Sequence, residues 1–266
     1  MKAAVAFLTT TPHKNTLKFS REVRDTGFDV FVICDDKQEF NVLNDGIIHI
    51  DDELCQKWKY VNSNINSTST HIKKNPISWD KMLLFFCEFA TEYDFVWVFE
   101  DDCFIPSVET IQHLHLKYKK YHLVTANNFL NDGKQMDWHW REIYDKIKGP
   151  YAYSMVCACG ISRHMFNEIK RYKERENQLF YIEVMFNTLA LQKGLKVTDA
   201  FELKSIVWQG KWDINEFLLL PNNVFHPRKD IENHYNLRSK IKEYKLKGIK
   251  PKNNLPYFLI NDKSNT

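Results

Sequence analysis

The stretch Ala3-Ala4-Val5-Ala6-Phe7-Leu8 offers no polar side chain on either face of a pleated strand, so it can settle only where both sides of a sheet are covered. That condition points to an α/β architecture. The run ends in the loop Thr9-Thr10-Thr11-Pro12. From Thr16 to Thr26 the apolar residues Leu17, Phe19 and Val23 then recur among charges at helical spacing, until Gly27 stops the helix. A second apolar run, Phe28 to Cys34, completes a β-α-β unit. Its right-handed crossover makes the two strands parallel and puts their ends, Thr9 to Thr11 and Asp35-Asp36, on one rim where such sheets bind ligands.

Further along, a short strand is expected at Gly46 to Ile50, before Asp51-Asp52-Glu53, and Asn62 to Thr70 reads as a polar loop. Ser78 is placed to cap a helix over Trp79 to Tyr93, with Met82, Phe85, Phe86 and Phe89 as its buried stripe. The apolar strand Phe95-Val96-Trp97-Val98-Phe99 follows and delivers Glu100-Asp101-Asp102 at its C-terminal end. In the second half, strands are expected at Tyr121 to Ala126, Tyr153 to Ile161, Leu195 to Val197 and Lys204 to Trp208. Helices are expected at Arg163 to Arg171 and at Phe180 to Lys193, the latter ended by Gly194, with an aromatic loop around Trp138-His139-Trp140. There is no internal repeat, heptad or low-complexity tract.

The 266 residues suffice for one large α/β domain with a terminal extension, and 44% hydrophobic against 27% charged residues excludes wholesale disorder. A formal charge of +3 is too small to imply a nucleic-acid partner. The one strongly basic stretch, Arg238 to Lys252, reads as a solvated helix face. No apolar run reaches the roughly 18 residues that span a bilayer, and Ala3 to Leu8 is too short for a signal sequence. The expectation is therefore a cytoplasmic or otherwise soluble protein with no signal peptide and no membrane anchor in the sequence. Cysteines at 34, 55, 87, 103, 157 and 159 lack the close paired spacings of a zinc site and read as reduced packing residues. Cys157-Ala158-Cys159-Gly160 lies in an apolar strand and suggests close backbone approach at Gly160. Asn66-Ser67-Thr68 matches a glycosylation acceptor and carries no weight without a secretion signal.

Three consecutive acids at a strand end repel one another and raise each other's pKa unless a cation satisfies them, and Mg2+ or Mn2+ does so with one or two carboxylates, water and phosphate oxygens. In this order of elements the chain resembles the GT-A glycosyltransferases, in which a Rossmann-like nucleotide-binding half ends in an acidic DxD-type motif and an acceptor-binding half follows. Glu100-Asp101-Asp102 looks like the Glu-Asp-Asp variant of that motif, and the family order is followed from Lys2 to about Lys229. The resemblance implies a single α/β domain over residues 1–230 with a mixed central sheet, divided into a nucleotide-sugar half (1–106) and an acceptor and catalytic half (107–230). A basic extension would occupy 231–266.

By the same resemblance, Asp102 is the expected metal ligand and Glu100 and Asp101 orient waters or reach the ribose. Thr9, Thr10 and Asp35, with Asp36 as the alternative acid, would form the nucleoside pocket, and Asp80 and Lys81 would contact ribose or diphosphate. His226 would be a second ligand to Mn2+ or Mg2+, and Arg228 and Lys229 would steady the leaving diphosphate. Glu183, a lone acid among apolar residues at a helix start, is the leading catalytic base for an inverting transfer. Trp208 and Asp213 are acceptor candidates; the aromatics Trp138, Trp140, Tyr151, Tyr153 and Trp212 are partly core. The implied partners are a nucleotide-sugar donor, UDP-sugar by preference, and a glycan or glycoside acceptor.

Three other readings stay open. A sugar-phosphate nucleotidyltransferase would also join an α/β nucleotide pocket to metal-binding acids, but its glycine-rich signature is missing: none of the 8 glycines lies between Met1 and Thr26, which also excludes a dinucleotide fingerprint or P-loop there. A hydrolase built on Asp101 or Asp102 with Glu183, or a binding module that has lost turnover, would use the same acids.

Overall fold

A computed structural model of the chain describes residues 1–35, 41–42, 46–64, 76–136 and 139–251. The first half comprises β1 (Ala3–Thr9), α1 (Lys14–Arg24), β2 (Asp29–Cys34), β3 (Asn41–Val42), β4 (Ile47–His49), α2 (Asp52–Trp58), α3 (Ser78–Leu84) and β5 (Phe95–Glu100). There follow α4 (Val108–Tyr118), β6 (Leu123–Thr125), β7 (Phe129–Asn131), α5 (Trp140–Tyr144), β8 (Tyr151–Tyr153) and β9 (Ala158–Ser162). The chain continues through α6 (Arg163–Glu176), α7 (Ile182–Gln192), β10 (Val197–Asp199), α8 (Ile214–Leu219) and α9 (His234–Leu246). Eight strands form one mixed sheet in the order β10-β6-β9-β5-β1-β2-β4-β3. β1 pairs in parallel with β2 and β5, and β9 runs antiparallel between β5 and β6. The fold is thus α/β with a mixed central sheet, as the sequence predicts.

The apolar character of β1 and β5 has a simple cause. Ala4, Ala6, Leu8, Val96 and Val98 point into one core with residues of α3, α6 and α7, while Val5, Phe7, Phe95, Trp97 and Phe99 point into a second core with α1 and α4. Both faces are covered, so alternation disappears. Gly160 of β9 sits between them; a Cβ there would meet Phe95 Cζ at 2.7 Å, which accounts for a glycine at the close approach. All six cysteines are reduced and buried.

Several boundaries differ from the sequence reading. The strand expected over 153–161 is two strands: β8 pairs with β7 in a separate two-stranded sheet, and β9 starts at Ala158 in the central one. The break falls where the backbone N–H of Ser154 turns to donate to the Glu183 carbonyl at 2.9 Å. The helix expected over 79–93 begins at Ser78, which is its first residue rather than its cap, and widens to a π-helical turn over Phe85–Phe89 before ending at Ala90. No strand forms over 204–208; a 3-10 turn (Phe201–Leu203) and a single bridge from Ile206 to His226 replace it. Asn66, Trp138 and most of the loop after Asn64 lie outside the described residues.

Past residue 230, where the sequence marks an extension, α9 packs onto the domain. Ile241 is buried with Phe104, Phe217 and Phe225, and the Arg238 guanidinium stacks on Phe19 at 3.6 Å and donates to the Ile105 carbonyl at 2.9 Å. No helix among the described residues is long and apolar enough to cross a membrane.

The 3-10 turn is fastened to α4 by Glu202, whose carboxylate accepts from Lys117 Nζ and the His113 ring at 2.7 Å and from the Tyr118 hydroxyl at 2.6 Å. Burial alone would raise this carboxyl, but these donors outweigh it and bring it from 4.5 to about 2. A depressed acid stabilises the fold above its unfolded value and loses that contribution as pH falls toward its folded value. Glu202→Gln is therefore expected to cost about 1–2 kcal/mol at pH 7, allowing for solvent screening of Lys117 and His113. Urea unfolding should show that difference shrinking as pH drops from 4.5 toward 2.

Candidate functional site

The parallel register sets Thr9 beside Cys34 and Leu8 beside Glu100, so the C-terminal ends of β1, β2 and β5 meet on one rim. The acidic triplet turns across it. Glu100 N donates to the Cys157 carbonyl and Asp101 N to the Leu8 carbonyl, each at 2.9 Å, which anchors the turn to both neighbours of β5. Its three side chains then diverge. Glu100 accepts from Trp79 Nε1 at 2.6 Å, and Asp101 accepts from the Thr9 hydroxyl at 2.5 Å. Burial raises both carboxyls above their ordinary values, with the Trp79 and Thr9 donors opposing and the charge of Asp102 adding to the rise.

Asp102 faces the late segment 225–228. That segment is clamped to the triplet by backbone pairing: Phe104 and Phe225 exchange bonds of 2.8 and 3.0 Å, and Arg228 N donates to the Asp102 carbonyl at 2.8 Å. The pairing holds His226 Nε2 at 3.4 Å from Asp102 Oδ1, an ion-pair contact without hydrogen-bond alignment that leaves this buried carboxylate oxygen with no hydrogen-bond partner. His226 Nδ1 donates to the Val207 carbonyl at 3.0 Å, which fixes the ring and turns Nε2 toward the acids. Trp212 buttresses the same loop by donating Nε1–H to the His226 carbonyl at 3.0 Å. Burial would lower the imidazole, but Asp102, the Val207 carbonyl and Glu100 together raise it.

Glu100 and His226 also line a cleft of about 1020 Å³, which reaches across to Glu183, Tyr181, Trp140 and Trp208. Glu183 lies in the first turn of α7 and accepts from the Tyr181 hydroxyl at 2.5 Å. Burial raises its carboxyl, with the Tyr181 hydrogen bond opposing and the charge of Glu100 adding. Trp208 stands at the rim, 79% exposed. The cleft therefore carries two carboxylates, two imidazoles (His139 and His226) and a wall of aromatic rings, the composition of a polar-ligand site.

The other predicted residues are placed elsewhere. Asp80 is buried and accepts from the backbone N–H of Ser63 at 3.1 Å and of Ile77 at 2.9 Å; burial pushes it up to about 7 against those bonds. Lys81 is fully buried, with Nζ 3.4 Å from Asp35 and 3.2 Å from Asp52, so it is neither a solvated helix residue nor an ammonium open to a ligand. Asp213 caps α8, accepting from Asn215 N at 2.7 Å. It opens, with Arg228 and Lys229, onto a separate hollow of about 410 Å³. Arg228 is engaged by the Trp212 carbonyl and by Asp230. Thr10 is exposed beside Thr9, and Asp36 lies outside the described residues. Trp79, Tyr181 and Ser63 line the cleft without having been singled out. The indole at 79 carries no helical or strand signal for a polar role, and only the contact with Glu100 reveals it.

No family model matches the chain, and no curated protein matches it. Among solved structures it is similar to the galactosyltransferase LgtC in complex with donor and acceptor sugar analogs, at 12% identity and a TM-score of 0.48, over 92% of this chain and 99% of that one. An active-site mutant of LgtC is also similar, at 10% identity and a TM-score of 0.43, over 91% of this chain and 99% of that one.

The placement of Lys81 can be tested by Lys81→Met. Two partly exposed carboxylates, Asp35 and Asp52, would lose their counter-ion, and the variant is expected to lose about 1–3 kcal/mol in chemical denaturation. Unchanged stability with loss of ligand binding would instead return Lys81 to the ligand.

Proposed function

We propose that the chain is a metal-dependent glycosyltransferase, moving a sugar from a nucleotide-sugar to a hydroxyl of a glycan or glycoside acceptor with inversion. The observation that carries this reading is the convergence of Glu100, Glu183 and His226 on one cleft, with an Asp102 oxygen that lacks a hydrogen-bond partner beside the imidazole. The preference for a UDP-sugar rests on the family resemblance alone.

The residues fit a hard divalent ion. Two ligands of one octahedral ion at about 2.1 Å stand roughly 3 Å apart, close to the 3.4 Å between Asp102 Oδ1 and His226 Nε2. The Val207 carbonyl leaves the Nε2 lone pair to the metal side, the arrangement by which carbonyls orient metal-bound histidines. Asp102 and His226 would hold Mn2+ or Mg2+, which supplies charge balance for a departing diphosphate. Since Arg228 is already engaged by Asp230 and both it and Lys229 open onto the neighbouring hollow, the diphosphate's charge is assigned to the cation rather than to them.

Glu183 takes the proton of the acceptor hydroxyl as that oxygen bonds to the anomeric carbon, and the bond from that carbon to the diphosphate breaks with its electron pair leaving on phosphate oxygen. Its cleft position is compatible with this role, and the aromatic wall gives sugar rings a surface to stack on.

A panel of nucleotide-sugars with Mn2+, Mg2+ or EDTA should show nucleoside diphosphate release that needs both metal and acceptor; equal release in EDTA would sink the metal assignment. Asp102→Asn is expected to abolish Mn2+-dependent donor binding in calorimetry. Glu183→Gln should keep donor affinity and lose roughly 10²–10⁴-fold in kcat. Product of retained configuration by NMR would take Glu183 out of the base role.

The pH profile gives a separate check. Glu183 works ionised and its carboxyl is raised by burial, so kcat should fall as pH drops through that raised value rather than through the ordinary carboxylate range. The Tyr181 hydroxyl favours the ionised form, so Tyr181→Phe is expected to move the acid limb to higher pH; movement to lower pH would contradict the assignment.

A further inference from the structure

One face of the His226 imidazole site is hard, made by the Asp102 carboxylate, and the other is soft. Cys157 lines the same cleft, and its Sγ, a carboxylate oxygen of Glu100 and a ring nitrogen of His226 all lie within 4.8 Å of one another. This is the one group of three such side chains found among the described residues. The geometry points to a second mode of metal binding at this cleft, in which a thiophilic divalent ion such as Zn2+ or Co2+ takes Cys157, His226 and Glu100 as ligands and excludes the hard ion from their shared imidazole. The exclusion part of this inference rests on the function proposed above; the soft site itself does not.

The chemistry of the donors carries the distinction. Mg2+ prefers oxygen and keeps its waters, whereas Zn2+ and Co2+ gain most from thiolate and imidazole, so the same His226 serves either set according to which ion arrives. A tetrahedral ion with bonds of about 2.0 Å to nitrogen and oxygen and 2.3 Å to sulfur needs its ligand atoms roughly 3.3–3.5 Å apart. Metal binding would have to draw the side chains in to that spacing by rotation, while the backbone bond from Glu100 N to the Cys157 carbonyl at 2.9 Å already holds the two residues side by side. Binding is balanced by release of the Cys157 thiol proton to solvent, leaving a thiolate on the metal. The backbone of Cys157 is also bound by Cys103, whose thiol donates to its carbonyl at 3.3 Å, so Cys103 points away from forming the ligand set itself.

Cobalt titration of the full chain, without donor or acceptor, tests this. One equivalent of Co2+ is expected to produce the near-ultraviolet thiolate-to-cobalt charge-transfer band. Cys157→Ser should lose the band and weaken Zn2+ binding by roughly a hundredfold, at or beyond the upper end of what loss of a supporting residue costs. Cys103→Ser should keep the band. Because Cys157→Ser replaces a buried group, X-ray absorption at the zinc edge of the wild-type protein gives a measurement free of folding effects. One sulfur scatterer at about 2.3 Å is expected. A shell of nitrogen and oxygen only, or a cobalt band that persists in Cys157→Ser, would overturn the proposal. If nucleotide-sugars are not turned over and the band still forms, the functional reading fails and the soft site stands. If turnover is metal-dependent and no sulfur is found, the reverse holds.

Discussion

The structure depends on β1 being buried on both faces while paired in parallel on both edges. A strand so enclosed has no freedom to slip, because a shift of one residue would exchange Ala4, Ala6 and Leu8 for Val5 and Phe7 between two cores packed around different volumes. The fixed register then dictates chemistry at its end. Thr9 stands level with Cys34, and Leu8 with Glu100, so the acids after β5 have no choice but to rise beside the loop after β1. The bond from Asp101 N to the Leu8 carbonyl and the one from the Thr9 hydroxyl to the Asp101 carboxylate are consequences of that level.

Three adjacent acids on such a rim would repel strongly if they shared one solvent layer, and the fold answers by giving each a different partner. Glu100 turns inward to the Trp79 indole, Asp101 back to Thr9, and Asp102 across to His226. The segment that brings His226 is held by backbone pairing of Phe225 with Phe104 and of Arg228 with Asp102, so imidazole and carboxylate are positioned by the same hydrogen bonds. Asp102 alone is left with an unsatisfied buried oxygen, and such an atom in an otherwise satisfied cluster is where an external cation has most to gain.

What the sequence made legible follows from locality. The β-α-β start, the delivery of the triplet by β5 and the helix start that carries Glu183 all lie within windows where periodicity and turn residues act. The doubly buried strands announce themselves because their apolar runs lack alternation. The division of 153–161 into two sheets was hidden, since Tyr153 to Ile161 is apolar apart from Ser154 and only the bond from Ser154 to Glu183 shows where the chain turns. The role of Trp79 was hidden for the same reason: an indole in a helix stripe reads as core until a carboxylate from another element is seen on its nitrogen. Cys157 read as packing because its companions Glu100 and His226 are far from it in sequence.

The charged residues near the rim divide into those that build it and those left open to a ligand, and residue type does not separate them. Lys81 and Asp80 are adjacent on α3, yet Lys81 joins the end of β2 to the start of α2 through Asp35 and Asp52, while Asp80 spends its carboxylate on the amides of Ser63 and Ile77. Their burial makes the rim rigid at the place where α3 presents Trp79 to Glu100. The neighbouring side chains at 79, 80 and 81 therefore act as one support, two of them fixing the helix and the third orienting an acid of the cleft. A rigid support of this kind is what preorganised acids need, because a carboxylate free to rotate would collapse onto the nearest amide instead of waiting for a ligand.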